Sequence, residues 1–246
     1  MSLTQAMYAA SAGAFKNQQR LDVLSNNLAN INTPGFKQDK LVFRVPVGAE
    51  KEGDSHTDHL QGPSAAMARG AWTDFSQGVL RHTGNSLDLA LDGKGFFCIQ
   101  TPEGTRYTRN GSFTINGDGV LATKDGLPVL GKGGEIKIDG RNVSVDEEGN
   151  VSVDGNEVGT LKVVSVPQPA SLKKMGNTLF ASAGADEKEA EGFKIREGYI
   201  ESSNVNAIRA MTEMIDISRS YESYQKTIQF LNDCTKKSIS EVGRLA

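Results

Sequence analysis

Gly126-Leu-Pro-Val-Leu-Gly-Lys-Gly133 comes within one residue of a phosphate-binding loop, whose glycine amides cradle phosphates, whose lysine reaches them and whose Ser or Thr hydroxyl serves magnesium. Gly133 stands where that hydroxyl belongs, Pro128 interrupts the loop, and no helical pattern follows to offer its N-terminus to an anion. Nucleotide binding is not expected. Ser171-Leu-Lys-Lys174 repeats the Ser-x-x-Lys spacing of acylating serine enzymes, where the lysine helps remove the hydroxyl proton. The partner motifs Ser-Asp-Asn and Lys-Thr-Gly are missing, and the stretch reads as a turn between Pro169 and Gly176. His82 has no Gly-x-Ser-x-Gly elbow to serve. His56 and His59 beside Asp54 and Asp58 imitate a metal site, but they sit in a polar, Gly-rich stretch without a third fixed ligand. Asp146-Glu-Glu-Gly-Asn150 departs from calcium-loop spacing and reads as a hairpin tip. Cys98 and Cys234 lack a second Cys or a His at ligand spacing and read as free thiols. No catalytic residue, cofactor or metal is expected, and the chain does not read as an enzyme.

The strong patterns are instead those of surfaces meeting surfaces. Ala207, Ala210, Met214, Ile217, Tyr221, Tyr224, Ile228, Leu231, Thr235, Ser238, Val242 and Leu245 alternate spacings of three and four, which is a coiled-coil period. No Pro follows Pro169, so a helix of roughly 40 residues and about 60 Å is predicted here. A stripe that long needs a partner along its length. The N-terminus repeats the pattern through Leu3, Met7, Ala10, Ala14, Asn17, Leu21, Leu24, Leu28 and Ile31, with Asn17 its one polar member. Ala9 to Ala14 carry little side-chain bulk, which lets a neighbouring backbone come close. Asn32-Thr33-Pro34-Gly35 then stops the helix.

Leu41 to Val45 reads as a short strand, and Gly48 to Gly70 as a polar linker or irregular extension. From Trp72 to Gly198 the texture changes: 20 of the 27 glycines lie here, between β-type runs at Leu87–Leu91, Phe96–Ile99, Arg106–Thr108, Ser112–Ile115, Glu135–Ile138, Asn142–Val145, Asn150–Val153 and Thr160–Val166. Asn116-Gly, Asp118-Gly, Asp125-Gly, Asp139-Gly and Asp154-Gly supply the dipeptides that tight hairpins require. Asp186 to Glu191 reads as an exposed acidic loop. The predicted architecture is mainly β: an antiparallel all-β domain inserted between N- and C-terminal helices that pair as a coiled coil. The expected bounds are 1–35 for the first helix, 36–71 for the linker, 72–204 for the β domain and 205–246 for the second helix.

A net charge of -3 and a pI near 5.7 leave no basic field for nucleic acid or an acidic lipid surface. No apolar run is long enough for a bilayer, and no basic segment precedes an apolar core near the N-terminus, so neither membrane insertion nor a cleavable signal is expected.

Ser25, Asn26, Asn27, Leu28, Ala29, Asn30, Thr33, Pro34, Gly35 and Phe36, ending at Lys37, spell a stretch that resembles the N-terminal signature of bacterial flagellar rod and hook proteins. Gly198-Tyr-Ile-Glu-Ser-Ser-Asn-Val-Asn206, with Ser203, Asn204 and Val205 at its centre, is similar to the family's C-terminal motif. Ser86 to Phe97, with Tyr107-Thr-Arg-Asn-Gly-Ser-Phe113 and Gly119 to Gly131, supplies a third match in the right order. The resemblance implies an axial subunit of the flagellar basal body. Its terminal helices would pack into the inner tube of a helical assembly, with copies of itself and other rod proteins as partners and the β domain as an outer layer. It implies export through the flagellum's own secretion machinery without a cleaved signal, and a periplasmic rod where the host has two membranes. A single β domain argues against the hook subunit, and the compact linker and long tail past Ile228 look more like the proximal than the distal rod member. A coiled-coil adaptor that binds a soluble partner, or an enzyme that uses the helices to oligomerise, is the alternative from another class.

A head-to-tail array needs two different surfaces on each subunit. Val205, Ile208, Met211 and Ile215 form a second stripe beside Ala207, Ala210, Met214 and Ile217. One stripe is expected to hold the chain's own N-terminal helix and the other a neighbour. The expected assembly interface is therefore Leu3, Met7, Ala10, Ala14, Leu21, Leu24, Leu28 and Ile31 on the first helix. On the second it is Val205, Ile208, Met211, Met214, Ile215, Ile217, Tyr221, Tyr224, Ile228 and Leu231.

Overall fold

The computed structural model describes residues 3–44, 67–167, 169–182 and 187–242. They fall into two compact units, one formed by 1–29, 39–72 and 206–246, the other by 30–38 and 73–205.

The helical unit contains α1, Leu3–Ala29, and α2, Ala207–Val242. The two pack together antiparallel: Arg20 pairs with Glu213 at 2.8 Å, and the Tyr224 ring lies against Gly13, where an added Cβ would come within 2.5 Å of it. Gly13 thus makes room for an aromatic ring between the helices. Ala10, Asn17, Ala210 and Ile217 are the buried centre of the seam, with Met7, Ala14, Leu21, Leu24, Leu28, Met214, Tyr221, Ile228 and Leu231 half-buried around it. Ser238 of the expected seam is exposed, Leu245 lies outside the described residues, and two residues of the first helix sit differently. Leu3 is exposed at the first turn, and Ile31 lies past the end of α1, because the chain turns at Asn30 ahead of Pro34. Asn206 starts α2: its side-chain oxygen accepts from the Arg209 amide at 3.0 Å, a capping contact that satisfies one orphan donor.

Asp39–Arg44 is a strand, as its composition predicted, and its partner is Met67–Thr73. The linker reading of Gly48 to Gly70 therefore fails from Met67 onward. A paired strand draws its ladder from a segment distant in sequence, which local composition does not reveal. His56, His59, Asp54 and Asp58 lie outside the described residues.

The β unit is antiparallel throughout its named pairings. Its largest sheet runs in the order Leu172–Lys174, Leu179–Ser182, Gly104–Thr108, Phe96–Thr101, Val163–Ser165, Lys188–Glu189. Val143–Val145, Asn150–Val153 and Asn156–Thr160 form a second sheet, and short pairs complete the unit. The main core gathers Leu89, Leu91, Phe97, Ile99, Leu121 and Ile195 with their neighbours, and a smaller cluster forms around Phe96, Tyr107 and Phe180. Burial on alternate positions, as at Val151 and Val153, follows from the two-residue repeat of a strand.

Three sequence readings change here. Leu172–Lys174 is an edge strand entered through one turn of 3-10 helix at Pro169–Ser171, so Ser171 to Lys174 is not simply a turn. Lys188–Glu189 pairs with Val164 and Ser165, so some of the acidic stretch closes a sheet edge, where charged residues discourage further strand addition. Of the run Glu135–Ile138, Glu135 pairs with Leu130 in a two-residue ladder and Lys137 makes an isolated antiparallel bridge to Val120, with Ile136 and Ile138 buried in the core on either side of it.

Cys98 is fully buried and Cys234 half-buried, and both are free. Burial pushes the Cys98 thiol up to about 12, which removes the thiolate that reagents attack. A thiol reagent near pH 8 is expected to place one label on the native chain, at Cys234, and a second only after unfolding. Prompt labelling of Cys98 in the native chain, read by mass spectrometry of its peptides, would contradict this burial.

Candidate assembly interface

The catalytic imitations of the sequence dissolve into structure. Gly126 to Gly133 runs into a hairpin, Leu130–Gly131 paired with Gly134–Glu135, and Lys132 faces Glu189 at 3.6 Å. His82 sits in the strand Leu80–His82 with its ring edge-on to Tyr199 at 4.8 Å. Asp146 closes a hairpin tip, accepting from the amides of Glu148 and Asn150 and from the Asn150 side chain. Desolvation pushes its carboxyl up, but these hydrogen bonds together outweigh it and hold the carboxyl below the usual range.

On the helical unit, α2 carries two apolar stripes. The inner one, through Ala210 and Ile217, is filled by α1. The outer one is open: Ile208 is 79% exposed, with Met211 at 50% and Ile215 at 53%. Val205, expected to begin this stripe, precedes the helix and is half-buried in the β unit. Asn27, buried on α1, grips the backbone of Asp39 twice, donating to its carbonyl at 2.8 Å and accepting from its amide at 2.9 Å. This pins the first strand to the last turn of the helix. Ser25, Asn26 and Ala29 lie on the exposed side of that turn.

Within the β unit the incoming segment Asn30–Gln38 is tied to the outgoing strand Tyr199–Glu201. Asn30 caps the turn, its carbonyl accepting from the Thr33 amide at 3.1 Å. Gly35 has a positive φ of 69° and donates to the Glu201 carbonyl at 2.7 Å; a Cβ there would press within 2.2 Å of the Asn110 amide nitrogen. Phe36 is buried beneath the Lys174 ammonium, 4.3 Å from its ring centre. Asn204 accepts from the Gln38 amide at 2.8 Å and donates to the Asp74 carbonyl at 2.8 Å, and the Ser203 hydroxyl accepts from the Val205 amide. Of the motif asparagines, Asn27 and Asn204 act as backbone clamps.

Sequence reasoning missed the centre of this junction. Glu201 is wholly buried, and one carboxylate oxygen accepts from the Lys37 ammonium and from the Gly78 amide at 2.8 Å. Its other oxygen faces Arg109 at 3.4 Å. Lys37 also donates to the Ser76 carbonyl at 2.7 Å, and Arg109 to the Gly93 carbonyl at 2.7 Å. Burial lowers the pKa of both cations and Glu201 opposes the shift. Each of the three family-like stretches supplies one charge to this cluster, and that shared placement is the signal that was available.

Comparison with known proteins follows the same three stretches. The family described as flagella basal body rod protein matches residues 7–37, the flagellar hook protein FlgE/F/G D1 domain matches 90–153, and the flagellar basal body rod FlgEFG protein C-terminal matches 196–240. The flagellar basal-body rod protein FlgF of Caulobacter vibrioides is 33% identical over 99% of this chain and 100% of its own length. The chain belongs to the flagellar basal-body rod protein family. The rod protein FlgG of Bacillus subtilis is 33% identical over 92% of this chain and 94% of its own, and the hook-basal body complex protein FlhO of that organism is 29% identical over 99% and 100%. This rod protein is a structural component of the flagellar basal body, of the proximal-rod type. Lys37, Arg109 and Glu201 fall one in each matched region. Among the described residues no helix is long and apolar enough to cross a membrane.

Proposed function

We propose that this rod protein works as an axial subunit without catalysis, joining copies of itself and other rod proteins through α1 and α2 and reaching the rod through the flagellar export machinery. The observation that carries this reading is the outer face of α2, where Ile208, Met211 and Ile215 remain open although the inner face is already filled by α1. An isolated subunit gains nothing from exposing these residues, whereas covering each one removes apolar area worth about 1.5–3 kcal/mol per fully buried side chain. The interface comprises this face and the outer side of α1, with the inner seam (Ala10, Ala14, Leu21, Leu24, Met214, Ile217) holding the two helices as one adhesive unit. Neither nucleic acid nor lipid belongs to this function: the net charge is -3 and both exposed helix faces are short.

Basal bodies purified from cells that produce an epitope-tagged chain test the reading. The tag is expected in the rod by immunogold electron microscopy, and deletion of the gene is expected to leave basal bodies without a completed rod. A tag confined to the soluble fraction, with rods intact in the deletion, would refute it.

A further inference from the structure

The helical unit exposes a second apolar face besides that of α2. On α1, Tyr8 is 72% and Phe15 64% exposed, two turns apart on one side, with only the small Ser11 and Ala12 between them. The α2 face has the same length, from Ile208 through Met211 to Ile215, and ends where Arg219, Glu222 and Lys226 continue the same side. Each face runs over eight residues, about 10 Å of helix, and neither Ser11 and Ala12 on the first nor Met211 on the second brings a charge to that side.

We infer, on the strength of the rod-subunit reading, that these faces are the two halves of one contact between copies of this chain. Tyr8 and Phe15 of one copy seat against Ile215 and Ile208 of a second, and Met211 fills the gap over Ser11 and Ala12. Copies that share an orientation bring α1 of one beside α2 of the next in antiparallel sense, because the two helices are antiparallel within the chain. Large side chains then meet large ones at both ends, and the flexible thioether meets the small residues at the centre. Pairing either face with itself does worse: two copies of the α1 face enclose a void between their rings.

The size of the contact identifies its occupant. Five partly exposed side chains of this kind offer roughly 600 Å² together, about half of the ~1,200 Å² at which stable pairwise interfaces begin. One such contact does not hold a dimer in dilute solution. A copy that uses both faces at once, each against a different neighbour, doubles the buried area, and only a chain that carries both faces can do so. The faces are also offset. Gly13 lies level with Tyr224 and Arg20 with Glu213, so the aromatic face sits roughly 20 Å along the helix axis from the aliphatic one. Two unlike, offset faces cannot close into a two-fold dimer; they add copies in one direction with a stagger of that size.

Disulfide trapping in purified basal bodies tests the pairing. Cells produce a mixture of differently tagged Phe15→Cys and Ile208→Cys chains, each carrying Cys234→Ser, with Cys98 protected by burial. Mild oxidation is expected to give a mixed dimer at least tenfold more abundant than the dimer from either variant alone. Should that pair fail to enter rods, Tyr8→Cys with Ile215→Cys probes the same contact from its other end. Rods that contain both variants of a pair but yield no excess of mixed dimer would overturn the inference and leave the rod-subunit reading intact. A disulfide to a different rod component would overturn the choice of a second copy as occupant. Wild-type chain missing from the rods would instead overturn the rod-subunit reading itself.

Discussion

Glu201→Gln is expected to lower the unfolding free energy of the chain by about 3–5 kcal/mol, the range for removing one partner of a buried ion pair. The glutamine keeps the volume but leaves the Lys37 ammonium and the Arg109 guanidinium without a counter-charge in a site where Glu201 is wholly buried and Lys37 is 1% exposed. The remaining carbonyl acceptors, Ser76 to Lys37 and Gly93 to Arg109, satisfy hydrogen bonds but not charge. The effect also carries a pH signature. Burial already holds Lys37 below its ordinary 10.5, and Glu201 works against that shift. Without the carboxylate the folded chain gives up the Lys37 proton more readily still, while the unfolded chain keeps it up to the ordinary value. In that window the unfolded state binds more protons, so the stability of the variant rises with pH toward 10.5, and more steeply than that of the wild type. Urea midpoints near pH 7 and near pH 10 measure both quantities. A loss under about 1 kcal/mol at pH 7, or a variant whose deficit widens on going to pH 10, would mean that the cluster does not hold the junction.

Ile217→Asp is expected to abolish assembly while leaving the thermal transition of the β unit in place. Ile217 is 3% exposed at the centre of the seam between α1 and α2, where a carboxylate would be taken out of water. A charge buried without a partner costs several kcal/mol, enough to separate a pair of helices whose stability comes from packing their apolar faces. Leu24→Asp acts on the same seam from the α1 side, more weakly because Leu24 is half-buried. Both variants are expected to lose helical circular dichroism and to leave cells non-motile, whereas Gln225→Asp, on the exposed side of α2, is expected to do neither. Normal rods built from Ile217→Asp chains, or an equal fall in the melting of the β unit, would separate the helix seam from assembly.

Much of this architecture is readable from local pattern. The alternation of three and four through Ala210, Met214, Ile217 and Tyr221 requires a helix with a narrow apolar stripe, and the structure places a helix there, packed along that stripe. Asn-Gly and Asp-Gly pairs force tight reversals, as at Asn116 to Gly119, where the Asn116 side chain accepts from the amides of Asp118 and Val120. Open and filled stripes on α2 follow from helical geometry once α1 is given its place.

Other features depend on partners that no local window contains. Met67–Thr73 and Leu172–Lys174 read as linker and turn, since their ladders come from segments brought alongside by the fold. Ile31 continues the heptad arithmetic yet leaves the helix, because the Pro34 turn overrides periodicity. By itself the sequence determined the elements: a helix period at each end, reversals in the middle, and a surplus of apolar residues on the terminal helices, all set by interactions within a few residues. Only the tertiary structure decided that Lys37, Arg109 and Glu201, the first and last 164 residues apart, share one buried site. A charge has no periodicity that announces its burial, and its stability there rests on the counter-charge the fold delivers.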